Sequence, residues 1–410
     1  MQSLILEREV TTTLLDERKE NILLCMQYMK RNKEEFLKIL TEISTYQTAK
    51  AEFDSSLRAL ENAFDEVRQN QPPNINRMSI FMPSNVILYS YILYLLIPSL
   101  YVKNIEFRSS SLVINQVRKL HNLFQKVHQL PIELKEYSYR KYLRESALKA
   151  DVVLFTGTYQ NAENIKAQLS KNQLFIFFGQ GVNPFIVTES AELEKAVQDL
   201  IGARMFNTGQ DCMGPDVIYV PEQKKNMFIK LLRAKLNNLK YGENSDKEAD
   251  YGRIHYTSTL ETVAQYLNQN SQYIIHGGSI NYKEKFIEPT VLVSSLKDKV
   301  KIDEFFLPIF NIMSYEEIEE VKEVLDTGYF LERAMGATVY GTEVDELISF
   351  LERKHTVSVN QTLFDIEDGN NPFGGYGPMA NYVSYQGELF IKPILLSLIF
   401  REHLQECGEL

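Results

Sequence analysis

The segment FNTGQDCMGPDVIYV, residues 206–220, places Cys212 after a polar, glycine-bearing turn and before an apolar run that reads as a strand. Such a turn lets a thiol and nearby backbone N–H groups face a cleft. A thiolate needs donors of that kind, or a positive neighbour, to act as a nucleophile. Taken alone, a single Cys more often packs as a small buried hydrophobe. The other two cysteines, Cys25 and Cys407, lie far away in sequence and no CxxC pair occurs. Neither a disulfide framework nor a structural metal site is expected, and no metal ligand is assigned.

Several other segments change the weight given to Cys212. In chain order they are MPSN at 82–85, IEFRSS at 105–110, FTGT at 155–158 and GVNPFIV at 181–187. EPTVL at 288–292, EFFLPIF at 304–310, TVSVNQ at 356–361 and NPFGGYG at 371–377 follow. With FNTGQDC, these resemble the motifs of the aldehyde dehydrogenase superfamily in order and spacing, over about residues 20 to 397. The resemblance implies an α/β fold with a Rossmann-type cofactor domain, an α/β catalytic domain, and the nucleophilic Cys between them. It implies Cys212 as nucleophile, with Asn85 and the Cys212 backbone N–H holding the oxyanion of a tetrahedral adduct. One such donor is typically worth about 3 kcal/mol. Thr156, Gly157 and Thr158 fall at the cofactor pyrophosphate. Glu304 falls at the nicotinamide ribose, and Phe306 at the nicotinamide ring. Without the resemblance, Glu304 reads as a solvated acid beside Asp303 and Phe306 as plain core. Gly179-Gln180-Gly181 matches part of a dinucleotide fingerprint but follows the wrong element order, so it reads as a tight turn between domains.

Three departures from the family pattern carry their own expectations. The position of the general-base Glu falls on Phe178, which cannot take a proton from water. General-base assistance commonly contributes about 10²–10⁴-fold. Slow hydrolysis of a thioacyl enzyme is expected, as in branches that pass the acyl group to a thiol or run in reverse. Glu189 and Glu288 are the substitute bases conceivable from sequence. Second, the family's cofactor Lys falls on Arg108, a cation suited to bidentate phosphate contact. An acid that often follows three residues on is Ser111 here, which removes repulsion against a 2′-phosphate. NADP(H) is therefore expected to bind, with NAD(H) as the alternative. Third, QPPNINRMS leaves little room for the family's oligomerisation hairpin, while LFIKPILLSLIF is a C-terminal strand candidate. A homodimer is expected rather than a standard tetramer. PMANYVSYQGE after PFGGYG, and Ala162 where a glycine is common, also depart.

The elements that must position these residues are legible as a rhythm. Residues 10 to 70 carry apolar positions at helical spacing, with a second helix from about Ser55 to Val67 ended by Gln71-Pro72-Pro73. From Met78 onward, short apolar runs alternate with amphipathic stretches. SIFMP, NIEFR, DVVLFTG and LFIFFG read as strands, and 86–100, 112–127 and 159–170 as helices. A second run follows, with DVIYV, IIHGG, TVLVS, IFNIMSY, GATVYG and TVSVN as strands. Its helices are 191–204, 223–239, 316–325 and 343–354. Strands alternating with helices predict parallel sheets covered on both faces. The expected domains are 1–179 for the cofactor, 180–378 for catalysis, and 379–410 as a return segment carrying the oligomerisation strand. Residues 129–150 resist assignment.

Composition bounds the rest. The chain has 410 residues, 44% hydrophobic and 24% charged, which is ordinary globular composition. Its net charge of −10 argues against nucleic acid or an anionic membrane as partner. VILYSYILYLLIPSLYV at 86–102 is uncharged but reads as a helix buried against a sheet rather than a span. The N-terminus lacks a signal-peptide pattern, and a reducing, cytoplasmic setting is expected. The function expected is NAD(P)-dependent interconversion of an aldehyde and an acyl thioester at Cys212, with coenzyme A or a carrier-protein thioester as co-substrate. The alternatives are a dehydrogenase that releases free acid and a non-catalytic family member.

Overall fold

The computed structural model describes residues 14–404. Cys407 and residues 1–13 of the N-terminal stretch read for a signal peptide lie outside them. Two seven-stranded sheets form the frame. The first runs, edge to edge, Glu388–Phe390, Asn381–Tyr385, Leu174–Phe178, Val152–Thr156, Ile75–Phe81, Val102–Arg108 and Ile132–Leu134. The five strands from 75 to 178 are mutually parallel, while the final hairpin is antiparallel. The second runs Thr356–Val359, Gly336–Tyr340, Pro184–Val187, Val217–Pro221, Ile309–Tyr315, Thr290–Ser295 and Ile274–His276, parallel but for the last. This is the doubly wound α/β architecture expected from the sequence.

Strand order decides where a ligand can sit. In the first sheet the order reverses between Ile75–Phe81 and Val152–Thr156. Helices leave their carboxyl ends in opposite directions there, which opens a crevice. Asn85, Arg108 and the Thr156-Gly157-Thr158 turn all follow the carboxyl ends of these strands. Cys212, Glu304 and Met335 precede strands of the second sheet, so the amino ends of that sheet meet the crevice.

Three helices cover one face of the first sheet: Leu14–Arg31, Lys33–Leu40 and Tyr46–Asn70. The last begins nine residues before the expected start, because the Thr45 hydroxyl caps it by accepting from Thr48 N–H at 3.4 Å. It ends at Asn70, as the Pro pair dictates. The uncharged 86–102 stretch is helical from Ile87, passes through a π-helical turn over Ile92–Leu96, and is buried against this layer. No described helix is long and apolar enough to cross a membrane.

One expectation is corrected. The C-terminal strand candidate holds only at Glu388–Phe390; Leu396–Leu404 is a helix. Leu396, Ile399 and Phe400 recur at helical spacing and are buried, which a strand could not achieve on one face. The unassigned 129–150 region supplies the edge strand Ile132–Leu134 and helix Tyr139–Glu145. There, the buried Tyr142 hydroxyl accepts from Ile80 N–H at 3.0 Å and donates to Glu106 O at 2.7 Å. Helix Ser258–Gln269 was not anticipated either.

One buried acid holds the helix that follows Asn85. Glu52 Oε1 accepts from Leu88 N–H at 2.7 Å and Tyr89 N–H at 3.3 Å, donors that the first helical turn leaves unpaired. Burial pushes its carboxyl up to about 7, against the pull of those two N–H groups. Glu52 is thus protonated in the fold but ionised in the unfolded chain between about pH 4.5 and 7, so stability is lost as pH rises through that window. Urea unfolding of wild type is expected to lose about 3 kcal/mol more than Glu52→Gln between pH 4.5 and pH 8. The amide keeps an acceptor for the helix and does not ionise, so equal losses in the two proteins would refute the assignment.

Candidate functional site

Cys212 sits on a loop whose backbone is forced into shape. Asn207, Thr208 and Gly209 have φ of 49°, 55° and 80°, three consecutive residues in left-handed conformation. For the two non-glycine residues this costs of order 1–3 kcal/mol each and persists only where surroundings over-determine it. At Gly209 a side chain is excluded outright, since a Cβ would lie 2.4 Å from the Leu307 carbonyl carbon. Side chains hold the loop from all sides. Thr208 Oγ1 accepts from Gly252 N–H at 3.0 Å, and Gln210 Oε1 accepts from His255 N–H at 2.8 Å and Tyr256 N–H at 3.0 Å.

Beneath the loop lies Arg204, 1% exposed. Its guanidinium donates to Leu307 O at 3.0 Å, Pro215 O at 3.1 Å, Asp216 Oδ1 at 3.2 Å and Gly209 O at 3.4 Å. Asp216 in turn accepts from Asn183 N–H at 2.9 Å. Asn183 Nδ2 donates to Cys212 O at 2.6 Å and Gly214 O at 3.2 Å. Burial pushes the Asp216 carboxyl up although Arg204 pulls it down.

The thiol opens into a cavity of about 190 Å³ lined by Asn85, Thr156, Phe178, Asp211 and Glu367 among others. The rest of the wall is largely apolar, with Leu93, Ile97, Phe373 and Leu395. Asn85 Nδ2 lies 3.5 Å from Gln210 O. The Cys212 N–H makes no backbone hydrogen bond to another described residue and faces its own sulfur. Asn85 and Cys212 line the same cavity. Burial, then the charges of Asp211 and Glu304, push the Cys212 thiol well above its ordinary value. Phe178 stacks on Tyr94 with ring centroids 5.6 Å apart, so hydrocarbon fills the place expected to lack a base.

The structure thus brings Cys212, Asn85 and Thr156 into one cavity. Arg108, Ser111, Gly157, Thr158, Glu304 and Phe306 stand outside its wall, around the crevice. Arg108 closes its strand with its Nε buried and unpartnered. Glu304 Oε2 accepts from Gln180 Nε2 at 3.0 Å, while its Oε1 is buried without a partner. Phe306 is held at φ 52°, and its ring lies 5.8 Å from that of Tyr256. Gly157 N–H donates to Phe178 O at 3.0 Å. Thr158 precedes helix Tyr159–Lys166 without capping it, so its hydroxyl and the first N–H groups of that helix are open to an anion. Ser111 is exposed in the turn after Arg108. An unpaired cation, an unpaired carboxylate oxygen and an open helix start fit a dinucleotide: phosphate for the cation and helix, hydroxyl for the carboxylate.

The two acids considered as substitute bases are elsewhere. Glu189 is exposed and accepts from Gln223, and Glu288 accepts from Ser279 N–H at 3.3 Å; neither lines the cavity. Sequence reasoning missed Asp211, Glu367, Tyr256 and the Arg204–Asp216 pair. Asp211 stood beside Cys212 in the quoted motif. Arg204 and Asp216 were visible as charges embedded in apolar segments. Glu367 and Tyr256 come from distant loops and leave no local signal.

Comparison with known proteins agrees with this arrangement. The family model "Aldehyde dehydrogenase family" matches residues 145–380, more than half of the chain. The 4,4'-diapolycopene-4,4'-dial dehydrogenase of Cytobacillus firmus is 26% identical over 247 residues, 59% of this chain and 53% of that protein. Aldehyde dehydrogenase family 2 member B4, mitochondrial, of Arabidopsis thaliana is 30% identical over 246 residues, 58% of this chain and 45% of that protein. The chain spans about half the length of the curated relatives it matches. Among solved structures, succinic semialdehyde dehydrogenase from Streptococcus pyogenes in complex with NADP+ superposes with a TM-score of 0.82 at 17% identity. That match covers 94% of this chain and 91% of the other, and shows the shared fold.

The Arg204 hub makes a stability prediction. Arg204→Met leaves Asp216 buried and uncompensated, at an expected cost of about 3–5 kcal/mol in urea unfolding at pH 8. Arg204→Met combined with Asp216→Leu is expected to recover a substantial part, because no orphaned charge remains. A single variant within about 0.5 kcal/mol of wild type, the usual reach of surface changes, would show the pair to be dispensable.

Proposed function

Because the chain belongs to the aldehyde dehydrogenase family, we propose that it interconverts an aldehyde and an acyl thioester through Cys212, with NAD(P) as hydride carrier. The observation that carries the reading is the shared cavity of Cys212, Asn85 and Phe178. The sulfur attacks the carbonyl carbon, and the oxyanion that develops is met by Asn85 Nδ2 and the Cys212 N–H. The bound cofactor supplies the hydride acceptor in the forward direction and the donor in reverse. Arg108 and the Thr156–Thr158 turn would hold its phosphates, Glu304 its ribose, and Phe306 the edge of its nicotinamide pocket. Phe178 in place of a proton acceptor leaves water poorly activated, so the acyl group is expected to leave on a thiol such as coenzyme A or a carrier-protein arm. A second reading, hydrolysis to free acid, is favoured by the carboxyls of Asp211 and Glu367 in the same cavity. The chain is proposed to act as a homodimer, with residues 1–179 binding cofactor and 180–378 performing the chemistry.

Two outcomes test the proposal. Incubated with acyl-coenzyme A and NADPH, wild type is expected to oxidise the cofactor and Cys212→Ser is not. With aldehyde and NADP+ but no thiol, Phe178→Glu is expected to release free acid about 10²-fold faster than wild type, within the range for general-base assistance. Fast acid release by wild type alone would overturn the thioester reading. For the cofactor, Arg108→Leu is expected to weaken NADPH more than NADH, by about 1.5–3 kcal/mol in direct titration. Equal losses would remove Arg108 from the 2′-phosphate.

A further inference from the structure

A thiol that its surroundings keep protonated can attack only if a base takes its proton in the same step. Cys212 is such a thiol: it is half-buried against a largely apolar cavity, and the charges that act on it most are the carboxylates of Asp211 and Glu304. The usual position for a base is hydrocarbon. Four other acids come near; two have both oxygens engaged, and Glu304, whose Oε1 is unpartnered, stands outside the cavity wall. Glu66 gives its two oxygens to Ser397 Oγ at 2.6 Å and Asn370 Nδ2 at 2.8 Å. Asp216 is bound by Arg204 and by Asn183 N–H. Glu304 is held by Gln180 on the cofactor side. Glu367 comes from a separate loop, receives the Tyr89 hydroxyl, and is not among the leading charges on the thiol.

Asp211 differs from all of these. It immediately precedes Cys212, is 4% exposed and lines the same cavity. Its Oδ1 accepts from Met213 N–H at 2.9 Å, which fixes the carboxyl plane. Its second oxygen has no hydrogen-bond partner among the described residues. We propose that Asp211 is the general base of this site, taking the Cys212 proton through Oδ2. The inference rests on the reading that Cys212 attacks an aldehyde carbon.

The step balances as follows. The S–H bond breaks toward Asp211 as the S–C bond forms, and the carbonyl π pair moves onto oxygen between Asn85 Nδ2 and the Cys212 N–H. As hydride leaves the carbon for the NAD(P) cofactor the oxyanion pair reforms the carbonyl, Asp211 gives its first proton to solvent, and an entering thiol then loses its own proton to the regenerated carboxylate. Its sulfur bonds to the acyl carbon, and the C–Sγ bond breaks to leave Cys212 as thiolate, reprotonated from Asp211. Titration of Asp211 is consistent with the role. Burial and Glu367 push its carboxyl up to about 6, against the Met213 N–H and Arg204. The groups facing it are Glu52, Glu367, Cys212, Tyr256 and Arg204. A base with this value works near neutral pH and is lost as pH falls through about 6.

Asp211→Asn tests this with little change of shape, since the amide oxygen still accepts from Met213 N–H. Expected is a fall in kcat/KM for aldehyde of about 10²–10⁴-fold, with loss of the acid limb near pH 6. NADPH binding should be unchanged. Independently of turnover, iodoacetamide labelling of Cys212 should move to lower pH, because a negative neighbour is gone. Should Asp211→Asn fold poorly, Asp211→Glu, which keeps a carboxylate, is expected to retain the acid limb, whereas Phe178→Glu added to a folded Asp211→Asn is expected to restore part of the turnover from the same cavity. Activity of Asp211→Asn within threefold of wild type, or retention of the acid limb, overturns the proposal. So does an unchanged labelling curve, which remains decisive if wild type proves to have no aldehyde turnover and the reading of the reaction itself fails.

Discussion

The arrangement around Cys212 depends on one buried ion pair, Arg204 with Asp216 at 3.2 Å. Taking two charges out of water costs several kcal/mol per ion, and mutual attraction repays it only when the remaining hydrogen-bond groups are satisfied. Here they are. The guanidinium meets carbonyls of Gly209, Pro215 and Leu307, and the carboxylate meets Asn183 N–H. Those carbonyls belong to the two segments that must face each other across the site: the loop on either side of Cys212 and the loop after Glu304. The ion pair is best understood as a fastener between them rather than as a source of stability. It also permits the left-handed run at 207–209, which has no local reason to exist.

A second constraint joins the two sheets. The chain leaves the first at Phe178 and enters the second at Pro184, and it returns before Asn381. Both crossings are tied by side-chain amides. Asn183 Oδ1 accepts from Gly336 N–H at 3.0 Å, and Asn381 Oδ1 accepts from Gly375 N–H at 2.8 Å. Gly375 passes so close to Ala334 that a Cβ would lie 2.2 Å from its carbonyl oxygen. The glycines of NPFGGYG therefore serve approach between segments. Gln180, in the first crossing, reaches Glu304, so the link between sheets also aims the carboxylate proposed to meet the cofactor.

How much of this was legible in the sequence follows from what kind of interaction sets each part. The parallel strands were readable because both of their faces are buried, which writes a continuous apolar run into the chain. Helix Tyr46–Asn70 was readable in its body and its Pro-defined end, but not at its start, where one Thr hydroxyl decides. Leu396–Leu404 was misread because nine mostly apolar residues carry either period, and only the neighbouring helix Tyr46–Asn70 selects one. For the site, Cys212, Asn85 and Glu304 stood out through linear motifs. The hub beneath them did not, since Arg204 and Asp216 gain meaning only when the fold brings Leu307 and Asn183 beside them.

The electrostatics of the cavity then follow from a surplus of acid. Asp211, Glu304 and Asp216 act on one thiol, Glu367 and Glu52 stand beside Asp211, and burial pushes each of them up. Several carboxylates cannot all ionise in a space this dry, so the group holds fewer charges than its residue count implies. That condition disfavours a resting thiolate and favours proton transfer concerted with attack. It also favours a cation at the crevice, where Arg108 stands with its Nε unpartnered. Replacing a base at position 178 by phenylalanine removes one further carboxylate from this crowd. The substitution therefore does more than withdraw a proton acceptor: it lowers the like-charge repulsion against which Asp211 must ionise, and so leaves the one carboxylate beside the sulfur able to work near neutral pH.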